Sequence, residues 1–135
     1  MKTKLLELLE KSYAPYSKFR VSAIVVTKDD KCYSGVNIEN ASYGATVCAE
    51  RVAIFKAERN GYKKGDFKEL YVMVNSGEIG TPCFACRQVI SELFDKGAIV
   101  HCCSTIGKIK DYTVEELCPY PFGSDDLRWN VDLLV

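Results

Sequence analysis

The spacing of apolar positions changes along the chain, and the changes mark its elements. Leu5, Leu6, Leu8 and Leu9 recur at helical spacing and predict a helix over residues 3 to about 13, stopped by Pro15. Val21, Ala23, Ile24, Val25 and Val26 form a near-continuous apolar run, which predicts a strand over 19–27. Lys28-Asp29-Asp30 turns the chain into a second strand over 31–36, giving a hairpin. Residues 37–44 are polar and read as a loop. Thr46 suits the N-cap of a helix reaching about residue 60; Val47, Val52, Ile54, Phe55 and Ala57 give it an apolar side and Asn60-Gly61 end it. A third strand follows over 67–74, then a helix opening at Pro82 and running to about 95. Residues 98–103 and 108–112 read as two further strands around Thr105-Ile106-Gly107. Thr113-Val114-Glu115-Glu116 has the form of a capping box opening a short helix. Pro119 and Pro121 end regular structure, and the tail to Val135 is expected to pack through Trp129.

Strand, helix, strand, helix, strand through the middle predicts a three-layer α/β/α sandwich with parallel pairs, and the opening hairpin makes the five-stranded sheet mixed. At 135 residues and 47% hydrophobic, the expectation is one domain, residues 1–135, with a real core. Lys plus Arg balance Asp plus Glu, 18 against 18, which argues against a grip on a nucleic-acid backbone and for a small neutral ligand. Glu7 and Glu10 interrupt the first leucines, so no signal peptide is expected there, and no apolar run of about 20 residues predicts a membrane span. The seven cysteines then point to reduced thiols in a cytoplasmic setting, with Cys32, Cys102, Cys103 and Cys118 as small buried residues.

The remaining cysteines carry the chemistry. Cys48-Ala49-Glu50-Arg51 is followed thirty-five residues later by Pro82-Cys83-Phe84-Ala85-Cys86-Arg87. Three thiols suit a tetrahedral zinc and leave its fourth position open, as a catalytic site needs. Glu50, two residues from a ligand, is placed to act as general base without binding the ion. All three thiols fall at predicted helix N-termini, where the dipole is expected to lower a thiol pKa. Arg51 and Arg87 are placed to hydrogen-bond the thiolates and offset their excess negative charge. Each feature has a plainer reading: a redox C-x-x-C, a closed four-cysteine zinc site, a dipole-compensating acid, and helix-capping arginines. His101, alone in an apolar strand, reads as a satisfied strand histidine outside the metal site.

The stretches APYSKFRVSA, GVNIENASYGATVCAERVAI, TPCFACRQVI and EELCPYPFGSDDL, together spanning nearly the whole chain, resemble in order the small three-cysteine cytidine deaminases. The resemblance implies one Zn2+ per subunit on Cys48, Cys83 and Cys86, with Glu50 as proton shuttle for hydrolytic removal of the C4 amine from cytidine and 2′-deoxycytidine in pyrimidine salvage. It implies Phe19 stacked on the base, Asn37 and Glu39 on the ribose 3′-hydroxyl, and the Ala49 amide and Thr81 carbonyl on the pyrimidine edge. It further implies a homotetramer, with Ala41 and Tyr43 of one neighbour and Phe122 of another completing each pocket. Ser22 and Phe84 stand where glycine is usual in the family, and Cys118 replaces a leucine. The rival readings are a deaminase of a cytosine-containing antibiotic such as blasticidin S, a polynucleotide-editing enzyme, and a zinc interaction module without catalysis.

Overall fold

The computed structural model describes residues 1–128, so the expectation for Trp129 and the tail lies outside the described residues. Its elements are α1 (Lys2–Leu9), β1 (Val21–Thr27), β2 (Cys32–Val36), α2 (Ala49–Arg59), β3 (Phe67–Val74), α3 (Phe84–Leu93), β4 (Phe94–Cys103), β5 (Ile109–Thr113) and α4 (Val114–Leu117). The five strands form one sheet in the order β2-β1-β3-β4-β5.

β1 is buried along its whole length because it is covered on both faces. Ala23 and Val25 point into a core with Ala53 and Ile54 of α2, Leu70 and Val72 of β3, Ile90 of α3 and Val100 of β4. Ile24 points the other way and packs with Leu5 and Leu9 of α1, Met73 and Cys103. Alternation of side chains across a strand thus turns one apolar run into the middle of three layers. Each fully buried Leu or Ile contributes about 1.5–3 kcal/mol relative to exposure.

Among the described residues one neighbouring strand pair, β3 with β4, is parallel, fewer than the sequence predicted. β1 lies between β2 and β3 and is antiparallel to both, so the crossover through α2 skips a strand. β5 returns antiparallel to β4 through a short turn in which Gly107 has φ +94°.

Several boundaries move for identifiable reasons. α1 ends early because the Tyr13 amide bonds the Asn37 carbonyl at 3.0 Å rather than a helical one. α2 opens at Ala49, not near Thr46, because Val47 is held extended by paired bonds with Ile38 at 2.9 and 3.0 Å. Thr46 instead closes a short 3-10 turn over Tyr43–Ala45. α3 starts two residues beyond Pro82, with Cys83 as its N-cap. β4 begins at Phe94, whose ring stacks on Phe67 at 5.0 Å, while Asp95-Lys96-Gly97 fall where the register shifts. The Thr113 capping box is present. Phe55 is 46% exposed and Cys32 is also exposed, so neither joins the core expected of it. His101 sits between Glu69 at 2.8 Å and Asp111 at 2.7 Å with Tyr71 stacked at 4.3 Å, a satisfied strand histidine. Ser22 is fully buried and donates to the Leu5 carbonyl at 2.8 Å, so its hydroxyl ties β1 to α1.

Gly35 sets how closely α2 approaches the sheet. A Cβ there would lie 2.5 Å from both the Ala49 carbonyl oxygen and the Ala53 amide nitrogen. Both are backbone atoms of the turn that carries Glu50, so they yield only if the helix moves. Gly35→Ala is therefore expected to lower stability by about 1–3 kcal/mol and to weaken zinc retention with it. A chemical melt read beside metal content checks both effects.

Candidate active site

Two helix starts converge at one end of the sheet. Cys48 and Cys83 are the N-caps of α2 and α3, and Cys86 lies in the first turn of α3. Their sulfurs lie within 4.8 Å of one another, with Cys48 Sγ 3.7 Å from Cys83 Sγ. Tetrahedral Zn–S bonds of about 2.3 Å place sulfurs about 3.8 Å apart. The donor set therefore fits zinc in both chemistry and spacing. Among the described residues no other cysteine, histidine or carboxylate joins this cluster, which leaves the closed four-cysteine reading without a fourth ligand. Cys102 and Cys103 are buried in the two separate cores.

Proximity splits the thiols rather than acidifying all of them. A hydrogen bond from the Cys86 thiol, followed by bonds from Arg51 and Cys83, pulls Cys48 down to about 5 against the effect of burial. The same bond, with burial, pushes Cys86 up. The expectation that every thiol at a helix N-terminus is lowered thus fails at Cys86, since sulfurs this close cannot all be anionic without a cation between them.

Arg51 lies against a thiol: Nη2 is 3.5 Å from Cys48 Sγ, and that thiolate raises the guanidinium's pKa further. Its Nε is buried with no hydrogen-bond partner among the described residues. Arg87 does not touch a thiol. Nε donates to the Pro82 carbonyl at 2.7 Å, Nη1 to the Leu117 carbonyl at 2.9 Å and Nη2 to Thr81 Oγ1 at 2.9 Å. Through these three bonds Arg87 pins the loop that carries Cys83 to the end of α4. Phe84, 73% exposed, lies under this guanidinium at 4.5 Å and does not line the cleft.

A cleft of about 280 Å³ opens beside the thiols. It brings together seven residues singled out in the sequence: Phe19, Asn37, Glu39, Cys48, Glu50, Thr81 and Cys83. Val21, Val72 and Val74 supply apolar wall, and the sequence reading missed Ser17 and Thr46. Glu50 is only 3% exposed, and burial, then the neighbouring Cys48, pushes its carboxyl pKa up. Burial of this kind disfavours the charged carboxylate and favours the form that carries a proton.

Asn37 and Glu39 are more heavily bonded than their predicted role suggests. Asn37 Oδ1 accepts from the Val21 amide at 2.9 Å and from the Ser12 hydroxyl, and Nδ2 donates to the Phe19 carbonyl at 2.7 Å. Among the described residues no acceptor takes the second Nδ2 hydrogen of Asn37. Glu39 Oε1 accepts from the Tyr16 and Ser17 amides at 3.0 and 3.1 Å, and Oε2 from the Ser17 hydroxyl. These bonds, the Ser17 hydroxyl first, hold the Glu39 carboxyl below the usual range.

Four predicted contacts lie off the cleft wall. Ala49 is fully buried, and Ala41 is exposed. Tyr43 is 67% exposed, edge-on to Tyr16 at 5.8 Å. Phe122 is 55% exposed and helps line a different hollow. A larger hollow of about 420 Å³, bounded by Ser91, Lys96, Cys118 and Tyr120, contains none of the candidate site residues.

Residues 1–110 match the family model for the cytidine and deoxycytidylate deaminase zinc-binding region. The chain belongs to this zinc-binding deaminase family, a family of hydrolases. It is 42% identical over 120 residues to a cytidine deaminase of Sporosarcina psychrophila, covering 89% of this chain and 87% of that one. It is likewise 42% identical over 119 residues to the cytidine deaminase of Halalkalibacterium halodurans, covering 88% and 89%. A crystal structure of cytidine deaminase from Burkholderia pseudomallei superposes with a TM-score of 0.85 at 40% identity, covering 89% of this chain and 94% of that one. Fold, family and zinc chemistry thus agree with the arrangement of Cys48, Cys83 and Cys86.

Proposed function

We propose that this protein deaminates free cytidine and 2′-deoxycytidine to the uracil nucleosides and ammonia, as a pyrimidine-salvage enzyme. The observation that carries the reading is a nearly buried acid, Glu50, opening into the same cleft as Cys48 and Cys83. In this reading the three thiols hold zinc, which supplies a water of lowered pKa. Glu50 would take one proton from that water and pass it to ring N3 as the water oxygen bonds to C4, then carry the second proton, now on the C4 hydroxyl, to the amine as the C4–N bond breaks and ammonia leaves. Arg51 steadies the Cys48 thiolate. Phe19 packs on the ring beside the valine wall, while the Thr81 carbonyl holds its edge. The second N–H of Asn37 and the remaining lone pair of Glu39 bond the ribose 3′-hydroxyl. Arg87 acts one step further out, by fixing the loop that presents Thr81 and Cys83.

Charge supports the nucleoside over its phosphate. No Lys or Arg among the described residues lines the cleft, whereas Glu39 and Glu50 do. A phosphate would enter without a counter-charge and face carboxylates, and like-charge juxtaposition costs several kcal/mol. The same balance disfavours a polynucleotide. Homotetramer formation is part of the proposal, because Ala41, Tyr43 and Phe122 lie at the surface, available to a neighbour's cleft. No helix among the described residues is long and apolar enough to cross a membrane, and a cytoplasmic location is proposed with the salvage role.

Comparing kcat/KM for 2′-deoxycytidine and its 5′-monophosphate tests the substrate class. The nucleoside is expected to be favoured by about a hundredfold or more. Equal turnover of the monophosphate overturns the nucleoside reading.

A further inference from the structure

We propose that Ser17 is a positioning residue which, through one hydroxyl, fixes both the sugar-binding carboxylate of Glu39 and the ring-packing residue Phe19. The inference rests on the nucleoside reading above and goes beyond it by assigning a role to a residue that acts through its neighbours.

The chain from Ser12 to Val21 is stitched along residues 37–39. The Tyr13 amide donates to the Asn37 carbonyl at 3.0 Å, and the Glu39 amide donates back to the Tyr13 carbonyl at 2.8 Å. Between them the chain makes a tight turn in which Lys18 takes φ +61°, the left-handed region that a residue with a Cβ occupies only when its surroundings hold it there. Ser17 is the centre of that turn. Its hydroxyl oxygen accepts from the Phe19 amide at 2.9 Å, and its hydroxyl proton goes to Glu39 Oε2. Phe19 is also held at its other end, where its carbonyl accepts from Asn37 Nδ2 at 2.7 Å.

A carboxylate offers about four lone-pair directions. The Tyr16 and Ser17 amides take both on Glu39 Oε1, and the Ser17 hydroxyl takes one on Oε2. One direction on Oε2 remains, and Glu39 lines the cleft at 9% exposure. The Ser17 hydroxyl therefore decides where that last acceptor points. Without it, Oε2 loses its one donor among the described residues, the carboxylate can turn about its remaining bonds, and the Phe19 amide loses its partner.

The test compares cytidine with 3′-deoxycytidine, which lacks the hydroxyl assigned to Glu39, in wild type, Ser17→Ala and Ser17→Thr. Ser17→Ala is expected to lower kcat/KM for cytidine about tenfold, mainly through KM. It is expected to change 3′-deoxycytidine far less, so that the gap between the two substrates narrows. Zinc content stays at the wild-type level, and Ser17→Thr, which keeps the hydroxyl, restores the gap. An equal loss on both substrates means a merely structural serine and overturns the proposal, as does an unchanged gap. If Ser17→Ala does not fold, Ser17→Cys keeps the size with only a weak donor and carries the same comparison. A zinc-loaded wild type that turns over neither substrate removes the nucleoside reading itself, an outcome distinct from failure at Ser17.

Discussion

Glu50→Gln lowers kcat on cytidine by about a thousandfold while zinc content and fold stay intact. Glutamine keeps the shape of the side chain but cannot take a proton from water or return one to N3 and the leaving amine. The side chain is 3% exposed, so no solvent-borne base of similar reach replaces it. Stability moves the other way from activity. Burial already disfavours the charged carboxyl, and a neutral amide removes that cost, so the melting temperature is expected at or above wild type. Single-turnover rates, zinc analysis and a thermal melt on the same preparation check all three. A rate near wild type leaves Glu50 as an acid in the first turn of α2 and ends the proposed proton route.

Cys86→Ala removes zinc binding, and with it activity, by about a thousandfold or more. It also lowers the melting temperature by about 10 °C or more under conditions where wild type is metal-loaded. Cys86 is fully buried between the first turns of two helices, and its sulfur completes a set within 4.8 Å. Cys48 and Cys83 alone give too few ligands to hold the ion against dilution. Cys32→Ala is the matched control, since Cys32 is exposed and outside the cluster, and it leaves both readouts unchanged. A Cys86→Ala protein that keeps zinc at wild-type affinity contradicts the ligand assignment.

The thiol cluster was legible because its logic is local: two short cysteine motifs each place their donors at the start of a helix, whatever the exact boundary. β1 was equally plain, because a strand covered on both faces needs a continuous apolar run. What the sequence did not disclose depends on partners distant along the chain. Arg87 looked like a thiolate partner by adjacency, yet the Leu117 carbonyl thirty residues away captures it. Thr46 had the chemistry of an N-cap, but the bridge between Val47 and Ile38 kept the chain extended and passed that position to Cys48. The parallel pairs expected from alternating strands and helices were reduced to one because β1 occupies the place beside β3. Ser17 carried no signal of its own. Its role appears only when Glu39, brought alongside by the pairing near Tyr13, is seen to accept from it.

Joint action of a thiol-held zinc and Glu50 on the C4 amine of a free cytosine nucleoside can be read in one assay: metal-analysed protein is incubated with cytidine, and uridine and ammonia are measured in the same sample. Equal amounts of both products are expected, from protein holding one zinc per subunit. Chelation is expected to stop the reaction, and added zinc to restart it. Cytidine left unchanged by fully zinc-loaded protein would contradict this joint action.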